Sequence, residues 1–312
     1  MIGGEAAATQ FSGKFSSVGT ARPEVPEKNF RTPEDELAAY HAFSDISWPK
    51  VSVVIPTLNE ARNLPHVFSG LPPALHEVII VDGHSVDDTI VTARRLRPEV
   101  RIVKQTRSGK GNALACGFAA ATGDIIAMVD ADGSADPAEI PQFVKALLDG
   151  ADFANGTRFA PGGGSSDITR LRRLGNRFLS GLVNILCRTK YSDLCYGYNV
   201  FWRRHVPVFG LDAESPVPAD GMRLWGDGFE IETLINIRIA QAGLTVAEVG
   251  SYEHPRIHGV SNLNAFSDGW RVLRTILVER FYYSRRRRAH RGRVSRADQP
   301  GPLPACELAS RP

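Results

Sequence analysis

Four short apolar runs, each handed on to a segment of helical period, constrain this chain more than any other feature. Val51-Ser52-Val53-Val54-Ile55-Pro56, Glu77–Val81, Val100–Lys104 and Ile125–Val129 read as buried strands. Between them Glu60–Ser69, Asp87–Leu96 and Lys110–Ala121 carry helical patterns, the second opened by acids and the third stopped by Thr122-Gly123. Strand–helix alternation of this kind predicts an α/β fold with a mostly parallel central sheet and helices on both faces. Ligands of such sheets bind beyond the carboxyl ends of the strands. Three polar clusters fall there: Pro56-Thr57-Leu58-Asn59-Glu60, Asp82-Gly83-His84-Ser85 and Asp130-Ala131-Asp132. Far apart in sequence, they are expected to face one cleft.

Asp130 and Asp132 at the end of the fourth run offer hard oxygen ligands, which suit Mg²⁺ or Mn²⁺ shared with substrate phosphates. The plainer alternative is a turn or cap before a helix starting near Asp136-Pro137. Arg107-Ser108-Gly109-Lys110-Gly111-Asn112 enters a helix N-terminus, where backbone N–H groups and a lysine favour a diphosphate. A flexible connector is its alternative, since the glycine spacing is not that of a Walker loop.

The second half is less regular. Gly162–Ser166 reads as a mobile loop, Thr169–Cys187 and Glu230–Ala242 as helices, and Leu244–Val249 as a strand. Phe266, Trp270, Leu273, Leu277 and Phe281 recur at helical steps and lead into Arg285–Arg288. The expected organisation is a disordered extension over 1–48, one catalytic domain over 49–284 ending in that amphipathic helix, and a basic disordered tail over 285–312. At 312 residues and 43% hydrophobic content the chain can bury a large core, and its net charge of +3 is concentrated near the C-terminal end. Cys116, Cys187, Cys195 and Cys306 show no metal-ligand spacing, and no run approaches the ~18 apolar residues of a membrane span. With no leader pattern, the expected location is cytoplasmic, and the basic C-terminal end offers peripheral contact with the inner face of the membrane. Nucleic acid is not an expected partner, because the arginine run lacks interleaved aromatics.

The ordered series V-V-I-P-T-L-N-E, V-D-G-H-S-V-D-D-T, G-K-G-N-A-L, D-A-D-G-S, N-G-T-R-F and R-I-H-G-V-S-N resembles glycosyltransferase family 2, a group with the GT-A nucleotide-sugar-binding fold. Within it the similarity is strongest to the polyprenyl-phosphate (dolichol-phosphate) hexosyltransferases, and it runs from about Val51 to Leu277. The resemblance implies nucleotide-sugar binding by Pro56, Asn59, Glu60, Asp82, Lys110 and Asp130. It implies metal and diphosphate binding by Asp130 and Asp132, with Ser134 completing or supporting the site. Arg158 corresponds to an arginine of the family's G-S-R segment, suited to gripping phosphate, and Arg173 lies among basic residues after the glycine loop. Asp193 and Gly197 match D-x-x-x-G-[FY], and Gly228–Glu232 match G-[YF]-x-x-E. Glu230 and Glu232 stand two apart, so one helix cannot point both the same way. Arg256 and Ser261 match an R-x-x-G-x-S-K loop in which Asn262 replaces the lysine, removing one phosphate anchor.

These features lead to an inverting, metal-dependent hexosyl transfer from a UDP- or GDP-linked sugar, with Asp132, Asp193, Glu230 and Arg158 as the catalytic candidates. The partners are the nucleotide-sugar donor and a lipid-phosphate or small-molecule acceptor. A polyprenyl phosphate is already anionic near neutral pH and needs no strong base. A hydroxyl acceptor needs one, for which Asp193, Asp227 and Glu230 are the candidates. Transfer to a soluble hydroxyl acceptor and sugar nucleotidyl transfer are the alternatives, the second weakened because its glycine-rich loop should follow the first strand.

Overall fold

The computed structural model describes residues 48–219, 223–259 and 269–281. The extension before Trp48, Ser261, Asn262, Phe266 and the Arg285–Arg288 run lie outside the described residues. The chain begins β1 (Val51–Thr57), α1 (Leu64–Ser69), β2 (Glu77–Asp82), α2 (Thr89–Leu96), β3 (Arg101–Lys104), α3 (Lys110–Ala120) and β4 (Ile125–Met128). It continues through a 3-10 turn into α4 (Ile140–Leu148), then β5 (Phe153–Thr157), β6 (Gly164–Ser165), α5 (Arg170–Cys187), β7 (Asn199–Trp202) and α6 (Val206–Phe209). The last elements are α7 (Ile231–Ala242), β8 (Val246–Gly250), β9 (Tyr252–Glu253) and a helix, α8, over 269–281.

Seven strands form one sheet in the order β3-β2-β1-β4-β7-β5-β8. All pairs are parallel except those made by β7, which runs antiparallel between β4 and β5. The expected fold class is observed: a mostly parallel sheet covered on both faces. Both faces being covered explains why β1 reads as a continuous apolar run rather than an alternating one. Val53 and Ile55 pack with α1 and α4 residues such as Leu64 and Phe143, whereas Val54 packs with Leu114 of α3 and Leu234 of α7. A third cluster joins Leu179 and Val183 of α5, Ile237 of α7 and Ile276 of α8.

The antiparallel β7 was not legible in the sequence, and it matters for the site. Its register sets Asn199 opposite Met128, so the chain just before it, through Gly197, is laid beside the acids that follow β4. The expected mobile loop at Gly162–Ser166 instead contains β6, which pairs with β9.

Opposite the site, Glu77 staples the sheet edge. It accepts hydrogen bonds from the Ser52 hydroxyl (2.7 Å) and from the Thr122 N–H and hydroxyl (2.7 and 2.8 Å), and it pairs with Arg101. Burial alone would raise its pKa, but these donors outweigh burial and bring it down to about 2. A carboxylate depressed from an ordinary 4.5 stabilises the fold above that value, and the contribution is lost as pH falls from there towards 2. Glu77→Gln should therefore cost roughly 3 kcal/mol at neutral pH and much less near pH 2. Denaturant melts of both proteins from pH 2 to 7 test this, and parallel curves would refute it.

Candidate active site

The cleft is built at the carboxyl ends of β1, β2 and β4. Thr57 is the register partner of Asp82, so those two strands stop together. Asp82 accepts the Ser85 N–H (3.0 Å), the Ser85 hydroxyl accepts the Asn59 N–H (2.9 Å), and Asn59 Oδ1 accepts the Val86 N–H (2.8 Å). Asn59 holds a left-handed conformation (φ 56°), which short amide side chains tolerate. Pro56 is half-buried on β1 just before this turn. Glu60 is buried, takes the amide of Asn63, and pairs with Arg256 at 2.8 Å. Burial raises its pKa, while Asn63 and Arg256 pull it back.

The centre of the cleft is a cluster of alternating charge. Lys110, the first residue of α3, lies 2.7 Å from Asp130 after β4 and 2.7 Å from Glu232 in the first turn of α7. Burial disfavours the ammonium, but the two carboxylates outweigh it and hold Lys110 protonated well beyond the ordinary lysine range. Burial likewise raises the Glu232 carboxyl, against the pull of Lys110. Gly197 roofs the cluster: a Cβ there would stand 3.1 Å from Lys110 Nζ and 3.2 Å from Glu232 Oε1, so a side chain would make both ends of the ion pair shift by a few tenths of an ångström. Asp132 sits one residue beyond Ala131. Its Oδ1 accepts the Ser134 N–H (3.0 Å), and its Oδ2 faces Arg256 Nε at 3.4 Å. Arg256 thus links the turn after β1 to the turn after β4, and the three polar clusters do meet.

Other candidates occupy closed ion pairs beside the cleft. Arg158 grips Asp193 with Nε (2.7 Å) and Nη2 (2.9 Å), and donates to both carboxylate oxygens of Glu253 from Nη1. Asp193 is completely buried. Arg107 grips Asp227 in the same bidentate way (2.8 and 2.9 Å) and also donates to the carbonyls of Asp212 and Ser215. Gly111 makes this clamp possible, because its N–H reaches the Asp227 carbonyl (2.9 Å) and a Cβ would collide with the Gly226 carbonyl at 1.7 Å. Glu230 accepts the N–H groups of Gly226 and Gly228 (3.2 Å each) just before α7. Arg173 is exposed on α5, away from these contacts. Of the expected set, the structure therefore gathers Glu60, Lys110, Asp130, Asp132 and Arg256 around the cleft. It places Arg158, Asp193, Asp227 and Glu230 in the surrounding framework. Glu232, and not Glu230, faces the cluster; the fifth position of Gly228-Phe229-Glu230-Ile231-Glu232 was its sequence signal. Nothing in the sequence marked Glu253.

Among the described residues no group of three or more His, Cys, Asp or Glu side chains converges on a point where a metal ion could sit. Asp130 and Asp132 fit a divalent cation in a narrower sense. Both are partly exposed to the cleft (side chains 35% and 22% accessible) and both present hard oxygen. Two carboxylates leave most of an octahedral shell to water and phosphate, as hard cations at phosphate sites require.

With this geometry in view, comparison with known proteins is decisive. The sequence model described as Glycosyl transferase family 2 matches residues 52–207. The chain belongs to glycosyltransferase family 2. An uncharacterized glycosyltransferase of Mycobacterium tuberculosis is 32% identical over 232 residues, covering 72% of this chain and 97% of that protein. A dolichol-phosphate mannosyltransferase of Pyrococcus furiosus is 38% identical over 221 residues, covering 69% of this chain and 59% of the relative. Glucosyl-3-phosphoglycerate synthase of Mycobacterium tuberculosis, solved with Mn²⁺, UDP and glucosyl-3-phosphoglycerate, shares the fold. Its TM-score is 0.56 at 24% identity, over 80% of this chain and 84% of that one. This glycosyltransferase therefore has the GT-A architecture.

Lys110 should be indispensable to the closed cluster. Lys110→Met leaves Asp130 and Glu232 facing each other, so stability should fall by about 3 kcal/mol at neutral pH. The Glu232 pKa should rise further. A group with a raised folded pKa contributes its stability in acid and loses it as pH climbs through that pKa. The variant should thus approach wild type near pH 4 and diverge above it, and Lys110→Met/Glu232→Gln should recover much of the loss. Thermal melts across pH decide this, and a pH-independent deficit would refute it.

Proposed function

We propose that this glycosyltransferase moves a hexosyl group, with inversion, from a nucleoside-diphosphate sugar to a polyprenyl phosphate. One observation carries the choice of acceptor: the acids that a hydroxyl acceptor would need as a base are already engaged. Asp193 is held by Arg158, Asp227 by Arg107 and Glu230 by two backbone N–H groups. Glu232 is paired with Lys110. An acceptor whose oxygen arrives ionised, as a phosphate monoester does, needs none of them. The name of the archaeal relative supports the same acceptor class.

In this reading the turn after β1 and Asp82 receive the nucleoside. Asp130 and Asp132 would hold Mg²⁺ or Mn²⁺, which supplies Lewis-acid stabilisation of the departing nucleoside diphosphate when bound. Lys110, kept protonated, stands where negative charge builds on that leaving group, and Arg256 adds a second positive charge beside Asp132. The acceptor phosphate oxygen forms the new bond at the anomeric carbon as the bond to the diphosphate oxygen breaks. The electron pair leaves with the nucleoside diphosphate, and no proton moves. Arg158 and Asp193 serve here by fixing β5 and the chain before β7. Peripheral membrane contact through the basic C-terminal end belongs to the same reading.

A panel of UDP- and GDP-sugars with Mg²⁺ or Mn²⁺ tests the proposal. Nucleoside diphosphate should be released, with strong stimulation by polyprenyl phosphate and loss of roughly 10³-fold or more in Asp130→Ala/Asp132→Ala. Stimulation by a soluble phosphorylated acid such as phosphoglycerate instead would favour the acceptor class named for the solved neighbours. Pyrophosphate release would favour nucleotidyl transfer. Asp227→Asn and Glu230→Gln should lower Tm while folded enzyme keeps transferring. Loss of kcat at unchanged Tm would mean that one of them is a base and would sink the phosphate reading.

A further inference from the structure

Glu279 of α8 is a buried carboxylate, 1% exposed, that the cleft does not use. Its Oε1 accepts the Trp225 indole N–H and Arg238 Nη2, both at 2.8 Å, and its Oε2 accepts Arg238 Nε at 3.0 Å. The Arg274 guanidinium, also on α8, covers the Trp225 ring at 5.2 Å from its centre. Gln241 of α7 donates to the Glu279 carbonyl at 3.3 Å. Buried ion pairs add little stability over apolar packing, so the use of this one lies in what it aligns.

Its two arms lead to the same residue. Trp225 is followed by Gly226 and Asp227, whose carbonyls rest on the N-terminal turn of α3. The Asp227 carbonyl accepts the Gly111 N–H at 2.9 Å. It also stands 2.1 Å from where a Gly109 Cβ would lie, and the Gly226 carbonyl stands 1.7 Å from where that of Gly111 would lie. Lys110 sits between those two glycines, so its main chain is held from both sides. The other arm, Arg238, lies further along α7 from Glu232 and also donates to the Phe209 and Gly210 carbonyls. Glu279 thus touches both the loop that seats Lys110 and the helix that brings Glu232 to it.

We infer that Glu279 is a positioning residue: from α8 it sets the Trp225–Asp227 loop against α7 and so aims the Lys110 ammonium into the cleft. The path runs through the main chain of Gly226 and Asp227, and the Asp227 carboxylate is not on it. A charge that must meet a leaving group is sensitive to placement, and a displacement of about 1 Å can cost roughly 10²-fold in rate. The competing role is a plain tether for α8, but Val272 and Ile276 already anchor that helix in the third core cluster. The catalytic use of the aimed lysine rests on the nucleotide-sugar reading; its seating by Glu279 does not.

Three variants separate positioning from tethering. Glu279→Leu removes both arms, Glu279→Gln keeps an oxygen for the indole N–H, and Ile276→Val loosens α8 in the core alone. In the donor panel Glu279→Leu should lower kcat per folded enzyme roughly tenfold, Glu279→Gln about threefold or less, and Ile276→Val not at all. Trp225→Phe, which deletes only the indole N–H, should repeat the Glu279→Leu pattern at smaller amplitude even if that variant folds poorly. In a Lys110→Met background Glu279→Leu should cost no further kcat, because the side chain it aims is gone. Amide exchange needs no substrate: the Gly111 N–H should exchange roughly tenfold faster in Glu279→Leu than in wild type or Ile276→Val. Unchanged Gly111 exchange would overturn the proposal. So would an equal loss of kcat with and without Lys110, or equal losses in Glu279→Leu and Ile276→Val. Faster Gly111 exchange in a protein whose wild type releases no nucleoside diphosphate would instead retain the seating of Lys110 and reject the donor reading.

Discussion

Lys110 between Asp130 and Glu232 is the interaction on which the cleft depends. It joins the start of α3 to the end of β4, 20 positions on, and to the start of α7 far along the chain. Opposite charges taken from water are tolerated only when each finds its partner, so the three segments must arrive together or not at all. Gly197 lies over the cluster, near Lys110, Glu232 and Asp130, which couples the antiparallel strand β7 to the same point. The enzyme thus stores a cation at one acid of the pair and faces a second cation, Arg256, at the other. In the proposed reading Asp130 and Asp132 would hold the dication and Lys110 would pair with the diphosphate, so that no charge would be stranded.

Around that centre the chain distinguishes acids that are offered from acids that are consumed. Asp193, Asp227 and Glu230 are buried and saturated by bidentate arginines or backbone donors. Their hydrogen bonds fix loop geometry, and removing one partner would leave a buried charge uncompensated, a cost of several kcal/mol. Asp130 and Asp132 remain partly accessible. That division between accessible and engaged carboxylates is what the proposed cation site and the proposed phosphate acceptor rest on.

Much of this was legible beforehand. The strands β1 to β4, the helices between them and the polar clusters at their ends follow from local periodicity and turn chemistry, and local rules decide them. The strands β5 and β7 were not legible. Phe153–Thr157 reads Phe-Ala-Asn-Gly-Thr, with two residues of low strand propensity, and it becomes a strand because β7 and β8 supply its partners. The choice between Glu230 and Glu232 was open for the same reason: spacing says that they diverge but not which one faces inward.

The sequence by itself therefore determined the parallel half of the sheet, the family and the acid pair at the end of β4, because each is written in contiguous residues. Only the tertiary structure decided which charged side chains are partners. Arg158 with Asp193 and Glu253, Arg107 with Asp227, Arg256 with Glu60 and Asp132 are separated by between 35 and 196 positions along the chain. Charge pairing of that range depends on distance and burial in three dimensions, and neither quantity exists until the strands have taken their order.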